Sequence, residues 1–187
     1  MQHTNFIEQL AQQNRKRTNM AELPMERLKN IRKQNMRDIF MNTVPAHHKR
    51  ELICSRRGVD FIDDAHSCNL NSTWICLDYL SRPAVWITEL KDEKSDLSSI
   101  SDLVKDKIKG IVCLNANTEM FRMFFQSEDS HSPKIFEAPT MDEAVRIAFK
   151  LTIPGDVIVY SPSAGDSTDT NLPNQRGMAF HEVANRL

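Results

Sequence analysis

Beyond Pro45 the chain alternates short apolar runs with amphipathic segments, and this alternation constrains its fold more than any other feature. Short apolar runs are typical of buried strands, whereas apolar residues spaced three or four apart are typical of helices that cover a sheet. The expected strands are 51–56, 59–63, 83–89, 108–114, 134–137 and 156–161. The alternation therefore predicts a three-layer α/β domain with a mostly parallel six-stranded sheet and right-handed crossovers.

Helices are expected between the strands, around apolar residues that recur at helical spacing. These residues are Ile100, Leu103 and Val104, then Met120, Phe121, Phe124 and Phe125, then Ala144, Val145, Ala148 and Phe149, and finally Phe180, Val183, Ala184 and Leu187. Thr140, with Glu143 three residues later, forms a capping-box pattern that predicts the start of the third helix. We interpret all these apolar residues as core, including the Met and Phe cluster at 120–125.

The first part of the chain differs from the rest in charge. Residues 1–50 hold ten Lys or Arg against four Asp or Glu, whereas the remaining residues hold fourteen against twenty-one. Apolar residues begin to recur, at loosely helical spacing, only from about Met25, which predicts a helix at 25–42. We therefore expect a basic, partly helical N-terminal extension at 1–45, followed by the α/β domain at 46–187.

The chain carries no pattern typical of membrane or secreted proteins. No apolar run approaches the roughly 20 residues that cross a bilayer, and the first ten residues match neither a secretory signal nor a lipidation motif. Neither the cysteines nor the histidines show the sequence spacing that is typical of metal and redox motifs. These residues are Cys54, Cys68, Cys76 and Cys113, and His47, His48 and His66. We therefore expect a cytoplasmic protein with reduced thiols, no metal site and no membrane partner.

Phosphate-binding motifs are absent from the sequence. A Walker loop needs clustered glycines followed by Lys and Ser or Thr, and the dinucleotide fingerprint needs three closely spaced glycines. The five glycines are instead scattered at Gly58, Gly110, Gly155, Gly165 and Gly177. This distribution excludes self-sufficient nucleotide hydrolysis by the P-loop route, so no cofactor is expected for the chain alone.

Several segments keep the order and nearly ungapped spacing of one domain of a known family. They are GVDFIDDAHSCNLNSTW, DLVKDKIKGIVCL, DEAVRIAFKLTIPGDVIVYSPS and QRGMAF. Over roughly residues 26–187 they resemble the C-terminal domain of the Mur ligases of peptidoglycan-precursor synthesis, above all the D-glutamate-adding, MurD-like members. The resemblance implies a Rossmann-like fold, and it includes the fold-maintaining residues Arg176, Gly177 and Phe180.

In that family this domain closes over a central ATPase domain, which carries the P-loop, and helps to hold D-glutamate and part of the adenosine. The resemblance therefore implies a truncated and divergent relative of an ATP-dependent carboxylate–amine ligase. ATP and magnesium are expected only if a central ATPase domain completes the chain.

The resemblance also implies ligand-binding positions, and this chain fills several of them with different chemistry. The family's His-Arg pair falls on His48 and Lys49, and Lys lacks the planar fork of the guanidinium. In the next loop the family's Asp is kept as Asp64, while His66 and Cys68 replace a lysine and a threonine. A neutral imidazole attracts an anionic substrate less than a lysine does.

Two further loops place carboxylates where the relatives have a lysine and a serine. Asp92 falls on the family's Asp, but Glu93 falls on its lysine, and Lys94 compensates only after a one-residue shift. Asp166 falls on the serine. Each of these carboxylates is expected to weaken the binding of an anionic ligand by about 1 kcal/mol or more. The vestigial ligand-binding positions are Lys49, Asp64, His66, Cys68, Asp92, Lys94 and Asp166, and no catalytic residue is expected.

Three classes of function stay open. The first is a stand-alone, divergent domain that lacks ligase activity by itself and serves in binding or interaction. The second is a subunit that completes a separately encoded ATPase half, which would then be its partner. The third is nucleic-acid binding through the basic residues at 15–37, and it ranks last because a solvated helix face has the same composition.

Overall fold

The computed structural model describes residues 31, 34, 47–92, 94–126, 132–165, 169 and 171–187. Contacts between Cα atoms separate Met1–Thr43 from Val44–Leu187. In the first unit, Ile31 and Gln34 are helical, and the rest of the helix expected at 25–42 lies outside the described residues. The expected boundary between residues 45 and 46 stays a prediction.

Six strands of the described residues form one sheet, and their bounds agree with the expected ones to within one residue. They are β1 (Glu51–Arg56), β2 (Val59–Asp63), β3 (Ala84–Thr88), β4 (Ile108–Leu114), β5 (Lys134–Ala138) and β6 (Val157–Tyr160). The order across the sheet is β1-β2-β6-β3-β4-β5. Strand β1 runs antiparallel to β2, and all other neighbours are parallel. The predicted mostly parallel, six-stranded sheet is confirmed.

Helices connect the strands. Those described are α1 (Leu70–Tyr79), α2 (Ser101–Lys107, after a 3-10 turn at Leu97–Ile100), α3 (Glu119–Phe125), α4 (Met141–Leu151) and α5 (Leu172–Arg186). The Thr140 side chain accepts a hydrogen bond from the Glu143 N–H, which confirms the predicted start of α4. Among the described residues, no helix has the length and apolar character needed to span a membrane.

The two faces of the sheet pack against different helices. Successive residues of β3 point to opposite faces, because side chains alternate along a strand. Val85 and Ile87 belong to the core that α4 and α5 build with Ala144, Val145, Ala148, Phe180, Val183 and Ala184. The Trp86 ring faces the other way and lies 5.7 Å, between ring centroids, from Phe121 of α3. These contacts give the predicted three layers.

Helix α3 corrects one expectation. Phe121 and Phe125 are buried, as expected, but Met123 is 76% exposed and Phe124 is 45% exposed. A helix places residues four apart on one face, so a helix of this length on the surface of a sheet buries one stripe only. The interpretation of the Met and Phe cluster as core was therefore right for Phe121 and Phe125 and wrong for Met123 and Phe124.

A tight turn aligns the strands that lead to the candidate site. Arg57 and Gly58 join β1 to β2 with φ values of 50° and 77°, and the hairpin turn that best suits the twist of strands needs positive φ at both positions. The Gly155 N–H donates to the Gly58 carbonyl at 2.8 Å, which ties this turn to the segment before β6. As a result, β2 and β6 run side by side and end together.

Candidate functional site

The carboxyl ends of β2, β6 and β3 lie next to one another. Asp63 at the end of β2 pairs with Tyr160 at the end of β6, and Tyr160 also pairs with Ile87 of β3. Open α/β sheets bind ligands beyond the carboxyl ends of their strands. The loops that follow these three strands contain most of the positions expected from the resemblance, so this edge of the sheet is the candidate site.

Asp64 lies within this edge and is almost completely buried, with 3% exposure. Its carboxylate accepts hydrogen bonds from the Ser67 hydroxyl and, at 2.9 Å, from the Ser161 hydroxyl. Burial raises the pKa of Asp64 to about 6, and the hydrogen bonds from Ser67 and Ser161 lower it by a smaller amount. Asp64 therefore joins the loops after β2 and β6 and is largely closed off from solvent.

A second carboxylate, Glu89, follows β3 and is held by two partners. Arg176 of α5 forms a salt bridge with it at 2.7 Å, and the same guanidinium donates to the Ala164 carbonyl at 2.7 Å. The Tyr160 hydroxyl donates to the other oxygen of Glu89. Burial, together with the negative charge of Glu89, holds the pKa of Tyr160 well above its ordinary value. Arg176 thus fixes α5 to the loops after β3 and β6.

The third carboxylate, Asp63, is fully buried and lies between two histidines. Its Oδ2 is 2.6 Å from Nδ1 of His48 and 2.9 Å from Nε2 of His181. Its other oxygen, Oδ1, accepts a hydrogen bond from the Ala65 N–H at 2.9 Å. Since His48 precedes β1 and His181 belongs to α5, the carboxylate links three separate parts of the chain.

The other expected positions have more open surroundings. His66, Cys68, Asp92 and Lys94 are exposed, and Lys49 is partly exposed. The Asp92 carboxylate accepts hydrogen bonds from the Lys94 N–H at 3.1 Å and the Ser95 hydroxyl at 3.3 Å, so it stabilises its own turn. Glu93 and Asp166 lie outside the described residues. The ligand-binding roles of all these positions stay predictions.

Three residues at this edge, Asp63, Glu89 and His181, belong to no pattern that predicted a site. Asp63 and His181 are 118 positions apart, and Glu89 and Arg176 are 87 apart, so no local motif connects either pair. The sequence signal available was the position of Asp63, a carboxylate at the end of a buried strand.

Comparison with known proteins gives consistent matches to one group of enzymes, although no family model matches the chain. The chain is 30% identical over 156 residues to the UDP-N-acetylmuramoylalanine–D-glutamate ligase of Porphyromonas gingivalis, covering 83% of the chain and 34% of that protein. It is 30% identical over 161 residues to the corresponding enzyme of Bacteroides thetaiotaomicron, covering 86% and 36%. Among solved structures, the MurF ligase of Thermotoga maritima in complex with ADP matches with a TM-score of 0.47 and 12% identity, covering 78% of this chain and 33% of that one.

Proposed function

We propose that the chain binds a ligand or a partner protein and does not catalyse ligation by itself. It is a divergent homologue of the UDP-N-acetylmuramoylalanine–D-glutamate ligases, members of the Mur ligase family, and it spans about one third of their length. The observation that carries this proposal is the state of the carboxylates at the candidate site. Among the described residues, the carboxylates at this edge form hydrogen bonds or salt bridges with other groups of the same chain; they belong to Asp63, Asp64, Glu89 and Asp92.

Charge at this edge supports the proposal. A dicarboxylate such as D-glutamate needs cations that are not already neutralised, and Arg176 is in a salt bridge with Glu89. His66 and Cys68 stand where the resemblance expects a lysine and a threonine, and neither carries a permanent positive charge. Binding of D-glutamate to this domain alone is therefore expected to be weak.

The 187 residues contain no motif for the phosphate chemistry of a ligase. Phosphoryl transfer depends on groups that position the phosphates and their magnesium ion and stabilise the developing charge. The sequence holds neither a Walker loop nor a clustered set of glycines. We therefore expect the purified chain to release no phosphate from ATP above a heat-treated control, with or without the UDP-linked acceptor and D-glutamate.

The expected weak binding of D-glutamate can be tested by restoring the chemistry of the relatives. Calorimetry would measure D-glutamate binding to the chain and to a Glu93→Lys, Asp166→Ser double variant, each mixed with the ATPase portion of a related ligase, because domain closure can be required to assemble a pocket. Each substitution removes an anion from a site for a dicarboxylate, so the double variant should bind D-glutamate more tightly than the native chain. Glu137→Lys combined with Asp106→Ser changes the net charge equally at exposed positions elsewhere and should leave binding unchanged.

The same mixture separates the proposal from the split-enzyme alternative. If the native chain binds D-glutamate and restores ligation to the supplied ATPase portion, then Lys91 or Lys94 provides the missing cation and the chain is a working subunit. If neither form binds D-glutamate but the native chain forms a stable complex with the ATPase portion, an interaction role is supported.

A further inference from the structure

The three residues His48, Asp63 and His181 form a cluster that neither the resemblance nor the proposed function explains. Their ligand atoms, two imidazole nitrogens and one carboxylate oxygen, all lie within 4.8 Å of one another. We propose that this cluster, called here the His–Asp–His cluster, binds a divalent first-row transition metal ion such as Zn²⁺.

The set of donors selects the class of metal. Two imidazoles and one carboxylate are typical ligands of zinc and of related transition metals, whereas calcium and magnesium prefer oxygen ligands throughout. Three protein ligands leave a further coordination position for water. The side chain of His181 is 29% exposed and that of His48 is 13% exposed, so a solvent molecule can reach the cluster from the helix side.

The distances fit an ion after a small adjustment. Nδ1 of His48 and Nε2 of His181 are 2.6 Å and 2.9 Å from the same oxygen of Asp63. Metal–ligand bonds of about 2.0–2.2 Å in tetrahedral geometry separate neighbouring ligand atoms by about 3.4 Å. Each nitrogen must therefore move less than an ångström further from the Asp63 oxygen. The two nitrogens, which lie within 4.8 Å of each other, must reach the same separation, and His181 can move because its helix position is partly exposed.

The surroundings hold two of the ligands in orientation. The Ala65 N–H occupies Oδ1 of Asp63, which leaves Oδ2 facing both imidazoles. The His48 ring packs against α5 where Gly177 has no side chain, and a Cβ on Gly177 would overlap that ring. The backbone N–H of His48 donates to the Glu51 carboxylate at 3.0 Å, which fixes the segment before β1.

Hydrogen bonds alone would also satisfy these groups. When Asp63 is ionised, each imidazole donates a ring N–H to it, and that proton must move to the other ring nitrogen or to solvent before the facing nitrogen can coordinate an ion. A bound ion would join α5, β2 and the segment before β1 through coordinate bonds. It should therefore raise the unfolding temperature of the protein as well as bind to it.

The experiment titrates the full chain, freed of metal by a chelator, with Co²⁺ as a spectroscopic probe and then with Zn²⁺ as a competitor. We expect the visible bands of four-coordinate or five-coordinate Co²⁺ to saturate at a single site, Zn²⁺ to displace them, and Zn²⁺ to raise the unfolding temperature. His181→Ala and Asp63→Asn should each weaken binding by at least about 10–100-fold, the loss already typical when a residue that only supports a metal ligand is removed.

His47→Ala is the matched control, because His47 is the neighbour of His48 in sequence but has a side chain that is 94% exposed. This variant should bind Co²⁺ as the native chain does. Far-ultraviolet circular dichroism would establish that each variant is folded, and His181→Ala changes a surface helix position if Asp63→Asn proves unstable. Absence of saturable binding by the native chain would overturn the proposal, as would unchanged affinity in a folded His181→Ala variant. A thiolate charge-transfer band would also overturn it, because it would assign the metal to cysteine.

Discussion

Replacing Asp64 with Asn tests how much the buried carboxyl at the candidate site costs the folded protein. Burial raises the pKa of Asp64 from 3.8 to about 6. A carboxyl with a higher pKa in the folded state favours folding below its unfolded pKa, and this contribution is lost as the pH rises through the folded pKa. A difference of about two pKa units corresponds to about 3 kcal/mol.

Asparagine keeps the size of the side chain and one carbonyl oxygen, so the Ser67 and Ser161 hydroxyls can still donate to it. It does not ionise. The free energy of unfolding of Asp64→Asn, minus that of the native protein, should therefore increase by up to about 3 kcal/mol between about pH 4 and pH 8. Any constant effect of the amide shifts this difference equally at every pH and does not change its slope.

Urea unfolding followed by the fluorescence of the buried Trp74 and Trp86 would measure this difference at several pH values. Asp106→Asn removes an exposed carboxyl from the same domain and is the matched control. A difference between Asp64→Asn and the native protein that is flat with pH, or that decreases as pH rises, would refute the reasoning. It would mean that the Asp64 carboxylate is as well solvated or hydrogen-bonded in the folded state as in the unfolded one.

Three further predictions concern packing and reactivity. Phe180 is fully buried between helix and sheet, so Phe180→Ala should lower the free energy of unfolding by about 3–5 kcal/mol. Phe124 is exposed, so Phe124→Ala should change the free energy of unfolding by only about 0.5 kcal/mol, as measured by chemical denaturation. Gly177→Ala should destabilise the native protein by about 1–3 kcal/mol, because the added Cβ overlaps the His48 ring. In a His48→Ala background the same substitution should stabilise the protein by up to about 1 kcal/mol, because Ala favours helix. Equal effects in both backgrounds would contradict the contact between Gly177 and the His48 ring. Brief treatment with a thiol reagent should modify Cys68, the exposed cysteine, before the other three, and mass spectrometry showing early labelling of a buried cysteine would disagree with the fold.

The strands were predictable because their signal is local. Each of the buried runs VDFID, AVWIT and VIVY is dense in apolar and β-branched residues, and turn residues or polar segments bound it. The start of α4 was equally local, since one threonine and one glutamate three residues later define it. Helix α3 was harder, because the apolar residues at 120–125 are continuous and only packing decides that Phe121 is buried while Phe124 is exposed.

The grouping of the loops follows from the predicted parallel sheet, but the contacts among their side chains do not. The carboxyl ends of the parallel strands β2, β3 and β6 meet at one edge of the sheet, so the loops that follow them lie side by side. Which side chains meet depends on where α5 crosses that edge. His181 and Arg176 reach Asp63 and Glu89 only through this crossing, and no spacing within the sequence contains that information.

The position of β6 determines when the sheet can be completed during synthesis. This strand lies between β2 and β3 in the sheet, yet it is formed by residues 157–160, after all the other strands. Until those residues leave the ribosome, the β1–β2 hairpin and the β3-β4-β5 group have no strand to join them. Both then present an open backbone edge, with Phe61 and Trp86 not yet covered by their neighbours. The nascent chain should therefore depend on chaperones late in synthesis, and fragments that end before β6 should aggregate.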